Sequence, residues 1–347
     1  MTTPLGRLLL LEVAKTHWSS AFERLLQRSK PAGVFFKGLA PLPATWEVAR
    51  NCARTLGSAS FLAVSDEGAG PLWGLFGASP EPEQLANLGD KAIEELGDLL
   101  GRTIRLTGLN MNFAPALDLP GKLPASTDAT VGAPYVAVTR RAEAFVRGLS
   151  RHGVLPCAGH FPGLRIGAGE RLQASPVVAR SMATLWREDL FPYRTLGSRP
   201  PMIQVSHAAY KAYDYEFPRP ASFSARVVEG LLRLKLGYRG VGLADVSAAA
   251  RSASVALSEA ALRALDAGCD LLLVPAAERP LEAVLAALER ASEFGTLPRE
   301  RLEQALSRVE NARQGLAPSL KEPSVRDVSR LAQDFERFGK QHYGHTK

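Results

Sequence analysis

The sequence predicts a single parallel (β/α)₈ barrel. Its 347 residues are 46% hydrophobic and 22% charged, a balance typical of a globular protein that buries a large core. Short runs rich in Val, Ile, Leu and Phe alternate along the chain with longer segments of helical periodicity, which indicates parallel strands joined by helices. Eight such runs are present, the number of strands in this barrel.

The predicted strands are spread over most of the chain. They are RLLLLEV (7–13), AGVFFKG (32–38), ASFLAVSD (59–66), LNMNFAPALD (109–118), GVLPCAGHF (153–161), PMIQVSH (201–207), GVGLADVS (240–247) and CDLLLVP (269–275). Amphipathic segments such as SSAFERLLQR (19–28) separate them and would return the chain to the start of the next strand. We therefore expect residues 1–317 to form the barrel, and residues 318–347 to form a helical tail that packs on it or is partly disordered.

The charge pattern argues against a nucleic-acid partner. The formal net charge is +7 and the isoelectric point is about 9.4, but basic residues alternate with acidic ones, as in RERLEQALSRVENAR (299–313). Such mixing is typical of a solvated helix face. The apolar N-terminal run ending at Val13 is too short to cross a bilayer and does not have the pattern of a signal peptide. We expect no partnership with nucleic acid or with a membrane.

The cysteines and loops argue against metal and cofactor sites. Cys52, Cys157 and Cys269 are widely spaced, so we expect buried free thiols and a cytoplasmic location. No group of His, Cys and carboxylate residues has the spacing of metal ligands. The loops VSAAARSAS (246–254) and PAAERP (275–280) contain no Gly-rich phosphate cradle, which argues against a phosphate-binding metabolic barrel. We expect neither a metal ion nor a cofactor.

Polar residues end several of the apolar runs. In a (β/α)₈ barrel the functional side chains lie at the carboxyl ends of the strands, where they form one open mouth. The residues at these ends are Ser65, Asp66, Glu67, Asp118, His160, Ser206, His207 and Asp245. We expect them to form the functional site.

Several motifs resemble those of a known family. GLNMNFAPALDLP (108–120) is similar to G-I-N-x-N-F-A-P-V-x-D-V of glycoside hydrolase family 3, and GVLPCAGHFPG (153–163) is similar to its G-V-x-x-x-x-K-H-F-P-G. PASFS (220–224) and GLLRLKLGYRGVGLADV (230–246) resemble P-A-S-L-S and L-R-x-x-L-G-F-x-G-V-V-x-S-D-D-L. The closest subgroup is the single-domain bacterial β-N-acetylhexosaminidases. The resemblance implies a barrel that binds a small carbohydrate ligand and hydrolyses O-glycosyl bonds with retention, without a cofactor.

The resemblance also implies a nucleophile. A retaining glycosidase uses one carboxylate to attack the anomeric carbon and a second group to protonate the leaving oxygen. The family's nucleophile is the first Asp of S-D-D-L, and Asp245 holds that position in the segment ADVS (244–247). The alternative is that Asp245 only caps the helix that follows, a common role for Asp.

The family's usual acid is missing. FPGLRIGAGERLQASP (161–176), aligned with the subgroup's acid/base loop H-G-D-T-x-x-D-S-H-x-x-L-P, has Leu172 at the acid/base His and Glu170 at the Asp that tunes it. Leucine cannot transfer a proton. Glu170 could replace it if burial raised its pKa towards neutrality; otherwise Glu170 is a solvated loop carboxylate.

The implied sugar contacts are also altered. Ser65 and Trp73 stand where the family motif D-x-E-G-G-x-V-x-R has Asp and Arg, and Gly159 stands at the Lys of K-H-F-P-G. The remaining candidates for substrate binding are Asp66, Glu67, Asp118, His160, Ser206 and His207. Two hypotheses stay open: a retaining hydrolase acting on β-linked amino sugars, and a catalytically degenerate sugar-binding or regulatory protein on the same barrel.

Overall fold

Eight parallel strands form a closed barrel. The structure is a computed structural model that describes residues 4–14, 16–67, 70–76, 80, 82–119, 133–164, 176–316 and 322–344. The strands are β1 (Leu9–Val13), β2 (Gly33–Phe36), β3 (Phe61–Val64), β4 (Met111–Asn112), β5 (Leu155–Phe161), β6 (Met202–Val205), β7 (Val241–Asp245) and β8 (Leu271–Pro275). Each pairs with its neighbour in the chain, and β1 pairs with β8 from Leu9 opposite Leu272 onwards. The predicted barrel is confirmed.

Helices connect the strands on the outside. Those of eight residues or more are Ser20–Ser29, Leu42–Leu56, Asp90–Leu106, Pro134–Ser150, Arg226–Lys235 (of π type), Val246–Ala253, Leu257–Asp266, Glu278–Glu293, Arg299–Gln314 and Val325–Tyr343. Shorter helical segments are Leu5–Leu8, Trp73–Leu75, Pro82–Ala86, Met182–Thr184, Leu185–Asp189, Phe191–Leu196 and Ala221–Phe223. Two short strands outside the barrel, Val177–Val178 and Ala209–Tyr210, pair with each other. No helix in the described ranges is both long enough and apolar enough to cross a membrane.

Alternating side chains separate two apolar layers. In β1, Leu10 points into the barrel and joins a cluster with Met111 and Leu243, whereas Leu9 and Leu11 pack outwards against the helices. This follows from the two-residue period of a strand. Because both faces of every strand are covered, the strands are continuous apolar runs.

The fourth strand is shorter than predicted. Only Met111 and Asn112 form the ladder of β4, although the apolar run continues to Asp118. Pro115 interrupts the run, and proline has no N–H to donate to a ladder. Asn112 instead binds the start of the loop after β3, with its Oδ1 accepting from the Asp66 N–H at 2.9 Å.

A buried carboxylate joins several elements at the amino-terminal end of the barrel. Asp270, whose side chain is 0% exposed, lies just before β8 and accepts hydrogen bonds from Arg233, Arg301, Arg308 and the Gly242 N–H. These donors come from two helices and from β7. A buried charge is tolerated when it is paired and fully hydrogen-bonded, as Asp270 is.

The last helix packs on the barrel. Val325–Tyr343 begins with a capping box formed by Ser324 and Asp327. Its buried face carries Phe335 and Phe338, whose rings lie 4.7 and 6.0 Å from that of Trp73. Trp73 belongs to the loop after β3, so this helix buttresses that loop.

This packing predicts a stability effect. Phe335→Ala should lower the free energy of unfolding by about 3–5 kcal/mol, because the ring is 3% exposed and its removal leaves a cavity. Urea unfolding followed by circular dichroism would measure the loss. Val325→Ala is the control, since Val325 lies in the same helix and is 83% exposed. Equal midpoints for the two variants would contradict the packing.

Candidate active site

A cavity of about 330 Å³ occupies the mouth at the carboxyl ends of the strands. Its polar lining comes from the ends of six strands or the loops just after them, and consists of Glu12, Lys37, Ser65, Glu67, His160, Gln204 and Asp245. Phe35 and Phe113 add a pair of aromatic rings with centroids 4.6 Å apart. A mostly apolar cavity with a few convergent polar groups is typical of a small-molecule site.

Asp245 is the last residue of β7 and lies at the mouth. Its Oδ1 accepts a hydrogen bond from the Ala248 N–H at 2.8 Å, so it also caps the helix Val246–Ala253. Its Oδ2 accepts no hydrogen bond from the residues that the structure describes. The cap role and a role towards a ligand are therefore compatible, because they use different oxygens.

Asp118 fixes the ring of His160. Asp118 Oδ2 lies 2.8 Å from His160 Nδ1, while Oδ1 accepts from the backbone N–H groups of His160 and Leu164 at 3.2 and 2.7 Å. Burial acts to raise the pKa of Asp118, but the His160 ring and these hydrogen bonds outweigh it and lower the pKa. Because the Asp118 side chain is 1% exposed and that of His160 is 25% exposed, His160 meets the cavity and Asp118 orients it.

His207 lies close to the same charges, just beyond β6. Burial lowers its pKa, and the neighbouring His160 lowers it further, against the opposing influence of Asp245. Its ring is therefore neutral near pH 7, since the ordinary pKa of His is already about 6.5.

Ser206 differs from the sequence-based expectation. It is 0% exposed, and its Oγ accepts from the Ala208 N–H at 3.0 Å. A strand alternates its side chains between two faces. Ser206 therefore stabilises the turn after β6 from the buried side, not from the mouth.

Asp66 also differs from the expectation of a substrate contact. Ser65 and Glu67 line the mouth, whereas Asp66 between them points the other way and is 2% exposed. Its carboxylate accepts from the N–H groups of Gly70 and Leu72 at 3.1 and 2.7 Å. A Cβ on Gly70 would lie 2.7 Å from the Asp66 carboxyl carbon, so the loop is closely folded around this side chain.

Three further residues at the mouth were not predicted. Glu12 and Lys37 end the first two apolar runs, so the polar strand-end signal that identified the others applied to them too. The family motifs did not cover them. Gln204 lies opposite Gly159, where a Cβ would come within 3.3 Å of the Gln204 Cβ. Glu170 and Leu172 lie outside the described residues.

The family model for the glycosyl hydrolase family 3 N-terminal domain matches residues 61–312. The chain belongs to glycoside hydrolase family 3. A family 3 relative named β-hexosaminidase, from Pseudomonas aeruginosa, is 32% identical over 302 residues, covering 81% of this chain and 86% of the relative. The resemblance predicted from the motifs is confirmed.

Solved family 3 structures share the fold. LpqI of Mycobacterium tuberculosis has a TM-score of 0.74 at 28% identity and covers 92% of this chain and 94% of its own. A fungal multi-domain β-N-acetylglucosaminidase has a TM-score of 0.86 at 20% identity, covering 98% of this chain. The present chain spans only 43% of that fungal chain.

The Asp118 geometry predicts an acid-dependent loss of stability. The folded-state pKa lies below the ordinary value of about 3.9. The contribution to stability is thus complete above about pH 4 and is lost as the pH falls through the lower folded-state pKa. Asp118→Asn should lower the melting temperature at pH 7 and flatten its decline below about pH 4. Scanning fluorimetry across pH would measure this, with the exposed Glu289→Gln as control. A wild-type slope in Asp118→Asn would contradict the assignment.

Proposed function

We propose that this chain hydrolyses O-glycosyl bonds with retention, acting on β-linked N-acetylhexosaminides. The position of Asp245 carries the proposal: it ends β7, lines the mouth and keeps one carboxylate oxygen outside the helix cap. The relatives' names, β-hexosaminidase and β-N-acetylglucosaminidase, support the substrate class.

In the proposed reaction, Asp245 attacks the anomeric carbon and forms a covalent glycosyl–enzyme intermediate, which water then hydrolyses. The Ala248 N–H holds Oδ1, which fixes the orientation of the carboxylate. The helix that starts at Val246 points its positive end at this anion.

The rest of the mouth would hold the sugar. The rings of Phe35 and Phe113 provide an apolar surface for the C–H face of a pyranose. His160, held by Asp118, and Glu67, whose Oε1 accepts from the Ala116 N–H, supply polar groups on neighbouring strand ends. His207 completes the proposed set. The geometry above gives Asp66 and Ser206 no contact with the cavity.

The proton donor is the open part of the proposal. Glu170 remains the proposed acid because it replaces the tuning Asp in the loop after β5. His160 is the competing donor, since it lines the same cavity as Asp245 and has a carboxylate partner. An imidazole with such a partner can act as a general acid.

We also propose the cytoplasm as the compartment. Cys52, Cys157 and Cys269 are all buried and none forms a disulfide. Burial raises the pKa of the Cys52 thiol to about 12, which keeps it protonated and unreactive. Stable free thiols fit a reducing environment.

The first functional prediction concerns the nucleophile. The wild-type protein should hydrolyse an aryl N-acetyl-β-glucosaminide slowly, below about 1 s⁻¹, because the family's acid and two of its sugar contacts are replaced. Asp245→Asn should abolish turnover and prevent labelling by a 2-fluoro glycoside that traps the intermediate. Absence of both turnover and labelling in the wild type would favour the catalytically degenerate alternative.

The second functional prediction identifies the acid. Glu170→Gln should slow the hydrolysis of poor leaving groups by about 10²–10⁴-fold and barely affect 2,4-dinitrophenyl glycosides, since only the former need a proton. A plot of log kcat/KM against leaving-group pKa would measure this, beside the same plot for His160→Gln. If only the His160 variant steepens the slope, His160 is the donor and Glu170 is a loop carboxylate.

A further inference from the structure

An ion pair lies inside the mouth. Lys37 Nζ is 2.9 Å from Glu12 Oε1, and both side chains line the same cavity as Asp245. Glu12 is 16% exposed and Lys37 is 58% exposed. The pair therefore combines a largely buried carboxylate with an ammonium group that reaches solvent.

The barrel ladder fixes both members. Glu12 belongs to β1 and pairs with Phe35 of β2, and the Lys37 N–H donates to the Val13 carbonyl at 3.0 Å. Residues on adjacent paired strands cannot slide past each other without breaking ladder hydrogen bonds. The carboxylate and the ammonium group are thus presented to the cavity by rigid elements, as binding groups need to be.

Stability alone does not explain the pair. An ion pair with one partner more than half exposed contributes little to folding, and charges set in an otherwise apolar rim lose hydration when a ligand fills the cavity. Charged groups at strand ends of a barrel mouth are typical of ligand contacts.

The pair also restores a charge that other positions lack. Where the family motifs have Lys and Arg, this chain has Gly159 and Trp73, and Trp73 packs against the C-terminal helix. Lys37 supplies an ammonium group to the same cavity from the opposite side, by way of β2. The cation has changed strand, and its acidic partner has come with it from β1.

We propose that Glu12 and Lys37 form a hydroxyl-binding clamp for the pyranose in the mouth. The Glu12 carboxylate accepts from a sugar hydroxyl, and the Lys37 ammonium group donates to the same or the adjacent hydroxyl. Hydrogen bonds to charged groups are about twice as strong as neutral ones. The clamp thereby selects sugars that have a hydroxyl at that position; this assignment rests on the carbohydrate specificity proposed above.

The test measures binding, so that it does not depend on turnover. Isothermal titration with methyl N-acetyl-β-glucosaminide would compare the wild type with Lys37→Met and Glu12→Gln. Each variant should bind about 10- to 100-fold more weakly, because a charge-assisted hydrogen bond is lost. Lys340→Met is the matched control, since Lys340 is 57% exposed and pairs with Glu336 on the C-terminal helix. Unchanged melting temperatures would verify folding.

Deoxy sugars identify the clamped hydroxyl. The 3-, 4- and 6-deoxy analogues should each bind the wild type, and one of them should bind the wild type and Lys37→Met equally, because its missing hydroxyl is the one that Lys37 contacts. Equal affinity of the wild type and Lys37→Met for the parent sugar would overturn the clamp. So would a wild type that binds no sugar. Sugar binding that depends on Lys37 without any hydrolysis would instead uphold the clamp and refute the proposed hydrolase.

Discussion

Closure of the barrel by pairing of β1 with β8 is the constraint on which the site depends. It brings the carboxyl ends of the strands to one rim, so that Glu12 from the beginning of the chain lies in the same cavity as Asp245, more than 200 residues later. At the opposite end, Asp270 binds three arginines and the backbone of β7. The barrel is thus held at its base by a buried charge network and left open at the mouth.

The fold could be predicted because each strand is buried on both faces and therefore appears as an apolar run. The mouth was only partly predictable. Asp245 and His160 follow from their position at strand ends, but Asp66 and Ser206 occupy similar positions and face away. A one-residue change of register reverses a side chain's direction, and the sequence does not fix that register. The close folding of Gly70 around Asp66 is visible only in the structure.

The altered motif positions have acquired other surroundings. Gly159 leaves the space beside it to Gln204, so that an amide lies at the mouth near the position where the family motif has Lys. Trp73 is 5% exposed and lies among the rings of Phe335, Phe338 and Tyr343. A missing family residue is therefore poor evidence for an empty site, because neighbouring strands can supply the same chemistry.

The aromatic contact around Trp73 has a historical consequence. An arginine restored at this position would place a guanidinium where an indole now fills a pocket between the loop and the C-terminal helix, and burying an unpaired charge is costly. The substitution becomes acceptable only after the helix has changed its own aromatic face, so the two elements constrain each other's evolution. Descent from an arginine-bearing ancestor would then be hard to reverse by single steps, and a lineage that had taken this step would have to find its sugar contacts elsewhere on the rim.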